Sequence, residues 1–340
     1  MADGRIGVGF VGAGGIARQR HVPGFRAIPG VALAGVVART PASTQRAADA
    51  FGFARTYGHW QELLEDPDID AVVVATWPYL HAPVSIAALE SGRHVLTQAR
   101  MAMDAAEAQA MLDASLEHPD LVAMVVPSPF TLWVDATLRR LLAEQAIGTL
   151  RSVRLTWSGG VSPASDWWRR QRRWSGNNTL VVGIVYEAMA RWLGHATAVS
   201  ARTAIYEPLV PTDAGPLHAD VADYVAALVE FPAGVNAVIE ISATARFAGP
   251  NEIVFFGSDG TLRLDLAGQR LEIGQAGSDA MAAVDVPAAE RADWRVEAEF
   301  VDAIRGQGEV RLTDFWTGAR YMAFTDAVLE SARSGMRITL

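Results

Sequence analysis

Residues 5–20, RIGVGFVGAGGIARQR, constrain this chain more than any other stretch. A short apolar run, residues 6–11, leads into Gly12-Ala13-Gly14-Gly15-Ile16-Ala17 and then into a helical pattern. Strand, glycine turn and helix in that order form the phosphate-cradling geometry of a dinucleotide-binding unit. Gly12 permits the tight turn. Gly14 has no Cβ to hold the backbone away from a pyrophosphate. Ala17, in the third small position, lets helix and strand pack closely. Gly15 and Ile16 open the helix, whose unpaired N–H groups and positive dipole end favour phosphate. A bare GxGxxA also fits a glycine turn in an ordinary α/β domain, so the rest of the chain must decide.

A length of 340 residues favours two domains over one. Half the residues are hydrophobic (50%), enough for substantial cores. Cysteine is absent, which excludes disulfides, thiolate metal sites, iron–sulfur clusters and a cysteine nucleophile. A net charge of −9 argues against general nucleic-acid binding. The opening MADGR leads straight into the first strand pattern without a signal peptide, and no apolar run is long enough to span a bilayer. A cytoplasmic protein is the expectation.

Residues 1–126 alternate strand and helix. Strand-like runs at 6–11, 31–38, 71–75, 94–97 and 121–126 include several that are almost wholly apolar, as strands buried on both faces should be. Helical patterns lie between them at 15–28, 43–51, 60–64, 82–91 and 104–117, with Gly52 and Gly92 as C-caps and Asp104 as an N-cap. This alternation predicts a parallel, doubly wound sheet. Pro127-Ser128-Pro129 marks a change of regime. A helix is predicted over 132–145, then a strand over 150–157. Strands at 224–231 and 235–244 flank Pro232-Ala233-Gly234, and strands at 253–256 and 262–266 flank Ser258-Asp259-Gly260, two hairpin signals. Residues 275–289 read as loop, and helices at 291–305 and 314–334 close the chain. The expected architecture is an α/β dinucleotide-binding domain over 1–126, followed over 127–340 by an α+β domain with a large, mostly antiparallel open sheet.

In such a fold the ligand lies beyond the carboxyl ends of the strands. The second strand ends at Arg39-Thr40, with no acid for a ribose 2′-OH. Arg39 can pair with a 2′-phosphate and Thr40 can donate to it, which favours NADP with NAD as the alternative. A solvated Arg39 is the plainer reading. Thr76 and His81, after the fourth strand, are placed at the cofactor's edge, although a lone histidine at a helix start is equally ordinary. His218, Asp220 and Asp223 lie close together but lack the rest of a metal signature, so turn contacts are favoured and no metal is expected.

Several blocks in order give a resemblance. GFVGAGGIA followed by His21-Val22-Pro23, LLEDPDIDAVVVAT with His81 further on, ALESGRHVL, FVDAIR and ESARSG are similar to motifs of the glucose–fructose oxidoreductase, inositol dehydrogenase and rhizopine-catabolism (Gfo/Idh/MocA) family. The resemblance covers nearly the whole chain. It implies a Rossmann domain plus a sheet domain, NAD or NADP, and oxidoreduction of sugars, cyclitols or related hydroxy compounds. It further implies a homodimer or homotetramer joined through the open sheet. Trp168-Arg169 resembles a family pair beside the nicotinamide carboxamide.

The resemblance fails at the catalytic slots. Where the family carries Glu-Lys-Pro, with the lysine catalytic, this chain reads Gln98-Ala99-Arg100, and Ala99 takes the lysine position. Where the family carries an Asp and a His four residues apart on one helix face, this chain carries Val181 and Val185. Oxidising an alcohol releases a proton as well as a hydride, and neither alanine nor valine can take it. Tyr186 is the first substitute, with Arg100 as a cation to lower its proton affinity; the alternative is a packing aromatic. Gln98 and Arg100 are candidates to orient a substrate carbonyl or carboxylate, Gln98 also to line the coenzyme, and Glu187 and Tyr79 are weaker candidates. Residues 166–174, DWWRRQRRW, form a local cationic and aromatic patch suited to an anionic sugar. The expectation is an NAD(P)-dependent oxidoreductase of a sugar, cyclitol or sugar acid with a non-standard proton relay. The alternatives are a non-catalytic NAD(P)- or sugar-binding sensor and a nicotinamide-using lyase or epimerase.

Overall fold

A computed structural model describes residues 4–159 and 167–340; Asp166, at the head of the tryptophan–arginine stretch, lies outside them. The chain divides into two compact units, one of Met1–Pro127 with Arg295–Met322, the other of Ser128–Trp294 with Ala323–Leu340.

The first unit holds a six-stranded sheet: β1 (Ile6–Val11), β2 (Val31–Val37), β3 (Arg55–Thr56), β4 (Ala71–Val74), β5 (His94–Thr97) and β6 (Ala123–Val125). The order is β3-β2-β1-β4-β5-β6 and every pairing is parallel. This is the strand order of dinucleotide-binding sheets, in which the chain reverses direction across the sheet between β1 and β4. Its central strands are apolar throughout because helices cover both faces: Val8, Phe10, Val72 and Val73 have no exposure. The crossovers are α2 (Pro41–Phe51), α3 (Trp60–Glu65), α4 (His81–Glu90) and α5 (Ala105–Glu117). The expected helix over 15–28 is a π-helical turn, Ala17–His21, running into α1 (Val22–Arg26). Asp104 caps α5 by accepting from Glu107 N at 2.9 Å.

Residues 127–340 do not form one continuous second domain. Helix α8 (Val296–Ile304) and the start of α9 (Phe315–Ser334) belong to the first unit, where Phe300 packs edge-on to Phe25 and Val125 N donates to Thr313 O at 2.8 Å. An amphipathic helix shows that it covers something apolar, not which unit supplies the surface.

The second unit holds α6 (Asp135–Ala143), α7 (Val182–Leu193) and a nine-stranded sheet. Its long strands are β7 (Leu150–Ser158), β8 (Ala198–Ala204), β11 (Tyr224–Glu230), β12 (Asn236–Ser242), β13 (Glu252–Gly257), β14 (Gly260–Asp265) and β15 (Arg270–Gln275). Two-residue strands β16 (Ala282–Ala283) and β17 (Ile338–Thr339) form its edges, and β9 (Leu209–Val210) pairs β10 (Leu217–His218) separately. Both expected hairpins, β11–β12 and β13–β14, are antiparallel, whereas β7 and β12 pair in parallel. Alternation along these strands separates two faces. Val225, Val229, Ile239, Ile241 and Leu155 are buried, while Leu228 and Val238, directly paired, are 60% and 47% exposed.

Candidate functional site

The glycine turn sits at the carboxyl end of β1, between β2 and β4. Gly12 has φ +93°, and a Cβ there would stand 2.5 Å from the Ala75 carbonyl oxygen. That carbonyl cannot retreat easily, because Ala75 N is tied to Val11 O at 2.8 Å and Gly12 N to Val37 O at 2.8 Å. Gly14 and Gly15 are different. The nearest atom to a Cβ at Gly14 is 3.8 Å away, and a Cβ at Gly15 would meet nothing within 4 Å. Of the three turn glycines, only Gly12 is demanded by the chain's own packing. Ile16 is 47% exposed at the helix start, and Ala17 is buried against the sheet.

The ends of the neighbouring strands meet the same edge. After β2, the exposed Arg39 lays its guanidinium carbon 3.9 Å from the Trp77 ring centroid. Thr40 is the N-cap of α2 in a reciprocal capping box, its Oγ1 accepting from Ser43 N at 3.1 Å. That hydroxyl is spent on the helix end, which weakens its sequence-expected part in holding a phosphate. After β4, Thr76 stands beside Gly12 with its hydroxyl donating to Trp77 O at 3.0 Å.

His81 corrects an expectation. It is 1% exposed and braces two backbone segments, Nδ1 lying 2.9 Å from Arg100 O and Nε2 3.1 Å from Thr76 O. Burial pushes its pKa below the ordinary histidine range, with backbone groups of Thr76, Arg100 and Met101 partly opposing. It shapes the edge from behind and does not face it. Arg100 is likewise 3% exposed and engaged within the fold, and the Ala99–Arg100 peptide is cis. Burial removes Arg100 from the role of a substrate-facing cation.

Gln98, directly after β5, is half-buried, and its Nε2 contacts Nε2 of His21. His21 has no exposure, and its Nδ1 lies 2.5 Å from Glu297 Oε1. His21 belongs to the family-like His21-Val22-Pro23 block, but its partner Glu297 carries no signal of its own: the two are 276 positions apart, and only the rule that buried polar groups are paired points from one to the other.

In the second unit, the turn before α7 contains Gly176 at φ +64° and Leu180 at φ +49°, and Asn177 Nδ2 donates to Asp326 Oδ1 at 2.8 Å. Val181 is the N-cap residue of α7 and Val185 is buried in its second turn. Tyr186 corrects a second expectation. It is 2% exposed, stacks on Phe324 with centroids 3.7 Å apart, and its hydroxyl accepts from Ala196 N at 3.0 Å. Tyr186 and Arg100 belong to different units. Tyr186 packs the core, so Tyr186→Phe should change kcat less than about threefold and cost about 1 kcal/mol of stability for the lost hydrogen bond. Steady-state turnover with thermal unfolding checks both. Glu187 is equally engaged, by Arg191 at 2.7 Å and Ser128 N at 2.8 Å.

The tryptophan–arginine stretch is mostly structural. Arg170 is buried against Asp223 at 2.9 Å, and Asp223 also accepts from Tyr206 N and Glu207 N. Asp220 accepts from Arg172 N at 2.6 Å. Arg169 lies over Trp168 at 4.3 Å and Arg173 over Trp174 at 5.1 Å. Arg172 and Arg173 remain exposed. Among the described residues no three His, Cys, Asp or Glu side chains gather as metal ligands, and no helix is long and apolar enough to cross a membrane.

The family model for the oxidoreductase family with an NAD-binding Rossmann fold matches residues 6–125, and that for the GFO/IDH/MocA C-terminal domain matches residues 136–263. A dTDP-3,4-didehydro-2,6-dideoxy-alpha-D-glucose 3-reductase of Streptomyces antibioticus is 32% identical over 98% of this chain and 99% of its own length. The chain belongs to the Gfo/Idh/MocA oxidoreductase family. Another member, levoglucosan dehydrogenase of Pseudarthrobacter phenanthrenivorans, is 32% identical over 76% of this chain and 71% of that protein. A solved levoglucosan dehydrogenase in complex with NADH and levoglucosan shares the fold with a TM-score of 0.86 and 25% identity, covering 98% of this chain and 99% of that one. This Gfo/Idh/MocA chain thus keeps the family's two-part sequence pattern and its Rossmann sheet.

Proposed function

We propose that the chain is an NAD(P)-dependent oxidoreductase of a sugar-like hydroxy or keto compound. The observation that carries this reading is the Gly12 turn at the end of β1, with Arg39, Thr76 and Gln98 at the ends of β2, β4 and β5, in a chain whose relatives are named as sugar-derivative dehydrogenases and reductases. The turn and the helix start after Gly14 would take the pyrophosphate, and the open space over Gly15 suits that approach. The bound nicotinamide would supply hydride transfer. Arg39 on Trp77 would meet the adenosine ribose, with NADP favoured and NAD the alternative. In the second unit, Trp168 and Arg169 are the pair assigned to the nicotinamide carboxamide, and the exposed Arg172 and Arg173 suit an anionic sugar such as a sugar acid. The open face around Leu228 and Val238 would join copies into a homodimer or homotetramer. A cytoplasmic enzyme fits this reading.

Gln98 is the polar side chain left beside the Ala99 slot, and its part would be to hold the substrate hydroxyl. Burial of Tyr186 and the pairing of Glu187 with Arg191 leave neither to take the hydroxyl proton. That observation supports a second reading, a sensor that binds coenzyme and sugar without turnover.

The deciding experiment is nicotinamide absorbance with both coenzymes against levoglucosan, anhydrosugars, free sugars and sugar acids, beside a fluorescence titration of NADH and NADPH. Turnover of at least one cyclic sugar supports the enzyme. Coenzyme binding with no turnover supports the sensor, and no binding removes both. Within the enzyme, Arg39→Asp should move the NADP-to-NAD ratio of kcat/KM toward NAD by on the order of 10- to 100-fold. An unchanged ratio would assign the 2′-phosphate to another group.

A further inference from the structure

Three polar side chains of the first unit form a line, which Glu297 completes from far along the chain. Glu297 lies in the first turn of α8, His21 ends the π-helical turn, and Gln98 follows β5. The Glu297 carboxylate reaches His21 by lying directly over Gly24, where a Cβ would stand 2.6 Å from its Oε2. A carboxylate at 2.5 Å from Nδ1 accepts, so Nδ1 carries the hydrogen. In the neutral tautomer that this carboxylate favours, Nε2 of His21 is the lone-pair nitrogen and needs a donor opposite it. The amide Nε2 of Gln98 is the group turned to it. With one amide N–H committed to His21, rotating the carboxamide by half a turn would set its carbonyl oxygen against the imidazole lone pair. The ring thus selects one of two amide orientations that are otherwise nearly equal in shape.

We propose that Glu297 and His21 are a positioning pair that fixes the Gln98 carboxamide, so that Gln98 meets a sugar hydroxyl with its carbonyl oxygen and not with its amide nitrogen. The inference rests on the reading of Gln98 as a substrate-holding residue. In a chain with alanine in the family's lysine slot, the orientation of this one amide decides whether the neighbouring polar group accepts from a substrate hydroxyl or donates to it. The pair is buried behind Gln98 and would act through it.

The test joins a double-mutant cycle to nitrogen NMR. Gln98→Leu should lower kcat for the best sugar by about 10- to 100-fold, and Glu297→Gln, which can still accept from Nδ1, by about fivefold, with coenzyme Kd unchanged in Glu297→Gln. Glu297→Gln combined with Gln98→Leu should be no slower than Gln98→Leu alone, because the pair acts through the missing amide. Losses that multiply, or a Glu297→Gln protein with full kcat and a lowered Tm, would overturn the proposal and leave the pair a structural contact. Gly24→Ala, which presses on the carboxylate without changing it, should reproduce the kcat loss. Independently of turnover, the His21 nitrogen shifts of the unliganded wild-type protein at neutral pH should show Nδ1 protonated and Nε2 bare. A proton on Nε2 would reverse the assignment. If no sugar turns over, the functional reading fails by itself and the NMR result still decides the orientation.

Discussion

Gly12→Ala should abolish measurable coenzyme binding, lowering affinity at least about 100-fold, roughly 2.7 kcal/mol. The added Cβ would meet a backbone carbonyl at 2.5 Å, and the residue would be held at φ +93°, a region that side chains other than glycine's rarely adopt. Strain of this kind costs on the order of 1–3 kcal/mol, and the clash adds to it because Ala75 is anchored to β1 by its own N–H. Two relaxations are open: the turn moves away from β4, or the end of β4 moves away from the turn. Either displaces the helix start and Thr76, which share the edge. The first unit should lose about 2–4 kcal/mol in thermal unfolding without coenzyme. Gly15→Ala is the contrasting variant, since a Cβ there meets nothing within 4 Å. It should leave unfolding within about 0.5 kcal/mol of wild type. Any loss of NADH or NADPH fluorescence enhancement in Gly15→Ala then reports the approach of the ligand and not damage to the fold.

Arg191→Leu should produce the largest loss of stability in the second unit, about 3–5 kcal/mol. Arg191 is held between Glu187 at 2.7 Å and Asp135 at 2.5 Å, with its side chain 6% exposed. Asp135 also accepts from Trp192 Nε1 at 3.0 Å, and Glu187 from Ser128 N at 2.8 Å. Burial alone would lower the Arg191 pKa; the Glu187 and Asp135 carboxylates reverse the sign and raise it, so the guanidinium stays charged throughout the working range. Removing it strands two buried carboxylates. The expected signature is a fall in Tm on the order of 10 °C at neutral pH. A loss below about 1 kcal/mol would show that the buried ion pairs contribute nothing net. The same cluster explains why Glu187 is no proton carrier: its carboxylate is committed to holding the segment after Pro127 against α7.

Much of this molecule is legible in local sequence. The run 71–75 is apolar at every position because it is covered on both faces, and that pattern needs no knowledge of what covers it. Asp104 as an N-cap and the hairpin around Pro232-Ala233-Gly234 are equally local. What stays hidden is long-range packing. Helix α8 has a clear apolar stripe, yet nothing in residues 296–304 says that the stripe meets Phe25 of the first unit. Tyr186 sits one residue beyond Val185, the position that the resemblance aligns with the family's histidine. Its helical phase turns it toward Phe324 and Phe231, where its ring is worth more as packing than as an acid. His81 and Arg100 are polar residues next to the expected cofactor edge, and both face inward.

The sequence by itself determined the parallel sheet, the phosphate-type turn and the family, since these depend on periodicity, on glycine stereochemistry at Gly12 and on motifs read in order. Only the tertiary structure decided which polar groups stand where chemistry could use them. It buries Tyr186, His81, Arg100 and Glu187 and joins Gln98, already a candidate in the sequence, to His21 and Glu297. A buried polar group must find a partner, but that partner can come from anywhere in the chain, as Glu297 comes to His21 from 276 residues away. Local spacing carries no trace of such a pairing.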